Sequence, residues 1–253
     1  MYYFIIVLKK SFVYKWSVLF QTLSSAVGIS AFLLLWNTLY AGNQDMIDYM
    51  IQYTVLSRVF ALFYSNGMTS RIGDRVSTGD FVLDLIKPIN TFSIAYQQEI
   101  ANTIIQLILR GIPIIFVYMP FLIRNGQYYN IHLAFIAIFI SHILLTLMYS
   151  GLGFLAYTVI EIWPFRRILD DSIRLLGGGV FPLSIFGPKL TIVANLLPFK
   201  YLYSFPLEIV FGHVKYQEIV QGFLQELIWI FVFLIMNLFI YKRAIKKMVI
   251  QGG

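Results

Sequence analysis

Apolar residues fill this chain in long stretches, and the few polar stretches between them mark where it turns. The clearest run, Trp16 to Tyr40, carries no charge over 25 residues, and about 20 are enough to cross a bilayer. Trp16, Trp36 and Tyr40 sit near its ends, as interfacial aromatic residues do. The same pattern predicts spans at about 16–40, 51–68, 100–123, 131–160, 168–186 and 222–241. Ahead of the first span, Phe4, Ile5, Leu8 and Phe12 share one helical face, with Lys9, Lys10 and Lys15 on the polar side. Residues 1–15 therefore read as an amphipathic helix lying in the interface. Between spans five and six the apolar pieces are short and broken by Pro188, Pro198 and Pro206. They predict short re-entrant or extracellular helices. The expected fold is an all-α integral membrane domain over 1–253, with six transmembrane helices and an N-terminal amphipathic helix.

The longest polar interruption is Arg71 to Asn90, RIGDRVSTGDFVLDLIKPIN. Thr78-Gly79-Asp80 can start a helix, because Thr78 or Asp80 can accept from orphan N–H groups. Phe81, Val82, Leu85 and Ile86 then supply an apolar side, Lys87 suits the helix C-terminus, and Pro88 stops it. This predicts a short surface helix between spans two and three, against the plainer reading of a solvated turn. A second interruption, EIWPFRRILDD, carries Glu161, Arg166, Arg167, Asp170 and Asp171 around a proline and reads the same way.

Three cations fall inside spans: Arg58, Arg110 and Arg174. A cation at that depth normally faces a bundle interior or a watery cavity. Arg58 either lines a pathway or is tied up in the bundle, with Glu99 as a partner to consider. Arg110 follows Gln106 by one turn, and its partner is open. Residues 91–123 would extend about 50 Å as one helix, against a hydrocarbon core of about 30 Å. The first part of that stretch is therefore expected on the cytoplasmic side, and Pro113 and Pro120 are expected to kink the rest. Gly151 and Gly153 permit close helix approach. Gly177-Gly178-Gly179 weakens the fifth span, and no Lys-Ser or Lys-Thr follows it at phosphate-loop spacing.

Composition agrees with the pattern: 59% of residues are hydrophobic and 12% charged, against roughly 25% charged in soluble domains. The net charge of +7 reflects topology, since Lys and Arg flank spans and form no basic patch that would suit a nucleic acid. With both termini and both charged interruptions on one side, twelve of the nineteen Lys and Arg residues lie there, and four lie opposite. Positive-inside makes the twelve-cation side cytoplasmic. The chain has no cysteine and three scattered histidines. It carries no nucleophile–base set, zinc motif or phosphate loop. Neither catalysis nor a metal site is expected.

The layout and two motifs resemble the permease subunits of type-two ABC exporters. The motifs are Gly79 to Pro88, GDFVLDLIKP, and Phe181 to Pro206, FPLSIFGPKLTIVANLLPFKYLYSFP. The second departs from the family pattern where Phe186-Gly187-Pro188 replaces a plain Phe-Pro. The layout covers nearly the whole chain, while the motifs are short and degenerate. The resemblance implies a multi-pass subunit of the cytoplasmic (inner) membrane. It would pair with a second permease, identical or paralogous, and export an amphipathic or apolar drug, peptide or lipid-like compound. ATP and Mg²⁺ would be bound by a separate ATP-binding cassette ATPase, and no cofactor by this chain. The helix around Gly79 to Lys87 would be the coupling helix. Arg71, Asp74, Arg75, Asp80, Asp84 and Lys87, with Glu161, Arg166 and Arg167 as a secondary contact, would face the ATPase. Arg58, Phe60, Tyr64 and Asn66 would border the pathway. A stand-alone secondary transporter or channel is the alternative: Arg58, Arg110 and the broken fifth span suit it. The absence of an internal repeat and the scarcity of acids within spans count against it.

Overall fold

The computed structural model describes residues 2–64, 67–78, 91–124, 126, 128–156, 159 and 161–251, with backbone alone at 2–4, 76–77, 91 and 244–251. Among the described residues every regular element is helical. The order is α1 (Tyr2–Val13), α2 (Lys15–Leu39), α3 (Gln44–Phe63), α4 (Gly67–Ser77), α5 (Thr91–Gln106), α6 (Ile112–Ile123), α7 (Ile131–Leu155), α8 (Trp163–Leu176), α9 (Pro188–Leu196), α10 (Ser204–Val210) and α11 (Tyr216–Gln251). The proposed surface helix from Gly79 to Lys87 lies outside the described residues.

Among the described residues, four helical stretches are long and apolar enough to cross a membrane: Lys15–Leu39, Phe92–Ile123, Ile131–Leu155 and Tyr216–Arg243. The second and fifth expected spans take a different form. α3 begins at Gln44, where the Asn43 side chain accepts from the Met46 N–H at 3.2 Å, and it ends at Phe63 rather than 68. α8 has 14 residues and ends at Leu176, well short of 186. At about 1.5 Å per residue it extends about 21 Å, less than the hydrocarbon core. The glycines after it end it. The fourth span stops at Leu155, earlier than 160, where Ala156 turns the chain.

Residues 91–123 form the single long helical run that the pattern predicted, with one irregularity. A π-helical turn occupies Leu107–Gly111, and the Ile112 N–H bonds back to the Leu107 carbonyl. Pro113 explains its place. A proline lacks the N–H for an i−4 bond and crowds that carbonyl, and Leu109, four residues before it, lies inside the wide turn. One inserted residue of slack relieves the crowding.

α7 is the centre of the bundle. It buries residues along most of its length, among them Ser141, Leu144, Leu145, Met148 and Gly151. The two glycines expected to allow close approach do so against different partners. A Cβ on Gly153 would come within 2.8 Å of the Ile72 Cβ on α4. Gly151 faces Asn237 of α11, which donates to the Leu147 carbonyl at 2.8 Å and accepts from the Ser150 hydroxyl at 2.8 Å. Polar ties of this kind hold helices together where lipid removes the hydrophobic incentive. α2 is tied likewise: the Trp36 indole N–H donates to Thr54 of α3 at 2.9 Å, and the Tyr118 hydroxyl of α6 donates to the Ala26 carbonyl at 2.6 Å. The outer faces of α2 and α11 expose Phe20, Val27, Leu34, Ile228, Phe231 and Leu238. Such apolar faces suit contact with acyl chains.

Candidate functional site

α3 presents Tyr53 and Ser57, one turn apart, to the glycine turn that ends α8. The Tyr53 hydroxyl donates to the Gly178 carbonyl at 2.7 Å, and the Ser57 hydroxyl donates to the Gly179 carbonyl at 2.6 Å. Gly178 sits at φ +82°, a conformation that side chains disfavour. A Cβ on Gly177 would lie 2.7 Å from the Phe199 carbonyl oxygen. The Ser204 N–H donates to the Gly177 carbonyl at 2.9 Å. The triple glycine thus serves as a seam, where backbone is approached from two sides.

Beside that seam lies a polar cavity of about 100 Å³. Its walls include Arg58 of α3, Tyr64 just past the end of α3, Tyr149 of α7, Asp170 and Arg174 of α8, and Tyr203. Arg58 is half-buried, and its guanidinium lies over the Phe32 ring at 5.7 Å. Arg174 is exposed at the cavity rim. Asp170 accepts from the Tyr149 hydroxyl and lies 4.0 Å from Arg166 Nε. The rings of Tyr64 and Tyr203 meet edge to face at 5.2 Å. Burial pushes the Tyr203 hydroxyl up to about 12, while Arg174 and Arg58 pull it back.

The pairing of Arg58 with Glu99 does not occur. Glu99 is fully buried, forms an ion pair with Arg71 of α4 and accepts the Gly67 N–H at 3.1 Å. It meets the chain after the break at Tyr64, beyond Arg58. Phe60 lies two residues past Arg58, about 200° round the helix. It lines a separate apolar cavity of about 370 Å³ with Leu56, Phe63 and Ile112. Asn66 lies outside the described residues. Arg110 finds neutral partners: its guanidinium donates to Gln21 at 3.1 Å, Ser25 at 3.1 Å and Gln106 at 3.2 Å.

The two charged interruptions meet in space. Arg166 donates to the Ser70 hydroxyl of α4 at 2.7 Å. A cavity of about 210 Å³ lies between them, lined by Ser70, Gly73, Asp74, Trp163 and Arg166. Asp74 and Glu161 are exposed and Arg75 is half-buried, and Arg167 pairs with Asp171 at 3.3 Å one turn on. Arg71 faces inward to Glu99. Asp80, Asp84 and Lys87 lie outside the described residues. Arg174, Tyr149, Asp170 and Tyr203 did not figure in the reading of the sequence as pathway residues. Only the glycine run hinted that backbone is approached closely there.

Among the described residues, four membrane-capable helices joined by polar ties mark an integral membrane protein. Residues 27–252 match the model of the ABC-2 family transporter protein, and the chain belongs to that family. Such proteins are the membrane components of transporters. No curated protein and no solved structure matches it.

Proposed function

We propose that the chain is the membrane-spanning permease subunit of an ATP-driven exporter in the cytoplasmic membrane. Two permeases, identical or paralogous, would form the pathway, and each would dock a separate ATP-binding cassette ATPase that holds ATP and Mg²⁺. Both termini would face the cytoplasm, as the distribution of Lys and Arg favours. The cargo would be an amphipathic or apolar compound. The observation that carries this reading, beyond family membership, is the convergence of the two charged segments at the α4–α8 junction, where Arg166 donates to Ser70. Segments distant in sequence meeting at one end of a membrane bundle suit a shared docking surface. ATP-driven closure of the ATPases would reach the helices through that surface.

The test is co-purification from native membranes, with ATP hydrolysis assayed on the eluate. An ATPase should accompany the chain, and charge reversal at Asp80 and Asp84 should remove it while the permease stays folded. A folded chain that emerges alone under several mild detergents would sink the reading and favour ion-driven flux by a stand-alone transporter.

A further inference from the structure

We propose that the cavity between α3, α8 and the glycine turn binds the anionic group, a carboxylate or phosphate, of an amphipathic cargo. Arg58 and Arg174 would supply the donors. The assignment of the occupant as cargo rests on the permease reading above; the anion site itself stands on geometry.

Two guanidiniums share one small cavity, and neither forms an ion pair among the described residues. Asp170 lines the same cavity but is already held by Tyr149 and Arg166, so it offsets only part of the two positive charges. Glu99 is held by Arg71, and Glu226 by Ser141. Like charges set side by side in a partly desolvated site repel, so the arrangement is completed by an anion. The planar fork of arginine matches the two oxygens of a carboxylate or phosphate.

Size and surroundings specify the remainder. A cavity of about 100 Å³ accepts a headgroup; whole drug-sized ligands occupy roughly 300–1,000 Å³. The apolar part of the cargo has partly exposed rings next to Arg58: Phe32, under the guanidinium, and Phe181, 6.0 Å away between ring centroids, with Trp36 buried behind them at 6.2 Å from Phe32. An anionic head at the arginines therefore places an acyl or aromatic tail along these rings. Arg174, exposed at the rim, is the entry-side donor.

The test uses the full chain in discs of zwitterionic phosphatidylcholine, with 12-bromododecanoate and 12-bromododecanol as probes. Bromine quenches indole fluorescence at short range, and Trp36 reports the site once Trp16, Trp163 and Trp229 are replaced by Phe. The carboxylate should quench saturably, at a concentration at least about tenfold below the alcohol. Dodecyl phosphate should displace it. Arg58→Gln and Arg174→Gln should each weaken carboxylate binding about tenfold and leave alcohol binding unchanged. Arg174→Gln changes an exposed residue and keeps the fold, and Arg58→Lys should recover part of the affinity. Equal binding of acid and alcohol, or an unchanged acid titration in Arg174→Gln, overturns the site. Displacement of the probe by anionic bilayer lipid added to the disc overturns the assignment to cargo. Because binding is read on the chain alone, loss of the anion site and absence of a co-purifying ATPase are separate results.

Discussion

Single residues in this bundle are decided by hydrogen-bond arithmetic. Ser141, fully buried on α7, has one hydroxyl proton, yet its oxygen lies 2.5 Å from the Tyr201 carbonyl and 2.7 Å from Glu226 Oε1. Both are acceptors when the carboxyl is ionised. A neutral Glu226 supplies the missing proton and donates to Ser141 while Ser141 donates to Tyr201. Glu226→Gln keeps a donor of the same shape, so its stability should stay within about 1 kcal/mol of the parent in a detergent melt. Glu226→Ala removes the donor and leaves a cavity, and should cost about 2–4 kcal/mol. Equal losses for the two variants would contradict the neutral carboxyl. The Arg71–Glu99 pair follows the opposite rule. Arg71→Met strands a buried carboxylate and should cost about 3–5 kcal/mol, while adding Glu99→Leu should restore most of it. Additive losses in that double variant would show that the pair is not coupled.

Elements are set by how closely their backbones approach. α4 lies against α7 because Gly153 offers no side chain to Ile72, and the Thr69 hydroxyl caps the contact by donating to the Tyr149 carbonyl at 2.8 Å. Gly153→Val would force the helices apart and should cost about 1–3 kcal/mol, read as a lower melting temperature. The shift should be larger than for the same change at Gly28, which has open space around it. The two glycines of α7 were legible as contact points in the sequence, because small residues in an apolar helix have few other uses. Their partners were not, since Ile72 and Asn237 belong to distant segments and nothing in local spacing selects them. The π turn shows the same division. Pro113 announced a distortion, but not whether the helix would kink or widen.

At the scale of the molecule, the distribution of Lys and Arg sets the expected orientation, and thiol labelling tests it. The chain contains no cysteine, so single introduced thiols report without background. Asp45→Cys, in the first turn of α3, should react with an impermeant maleimide on intact cells. Asp171→Cys, on the partly exposed side of α8, should react only after permeabilisation. The reverse pattern would invert the topology and remove the proposed ATPase surface from the cytoplasm.

The apolar runs by themselves determined that this is an all-helical membrane protein. They also placed the helices at Lys15–Leu39, Ile131–Leu155 and Tyr216–Arg243 close to where they were expected. Burial in lipid leaves no alternative for a long uncharged segment, because its backbone must bond within itself. What folding alone decided was the choice of partners. Glu99 met Arg71 instead of Arg58, Arg110 found Gln21 and Ser25, and α8 stopped at the glycines so that α3 could bond their carbonyls. Charge pairing and close backbone approach depend on which helices lie side by side and at what depth. Those are properties of the packed bundle, to which residue spacing along any one helix is blind. Arg58 and Arg174 share a cavity for that reason, although 116 residues separate them in the chain.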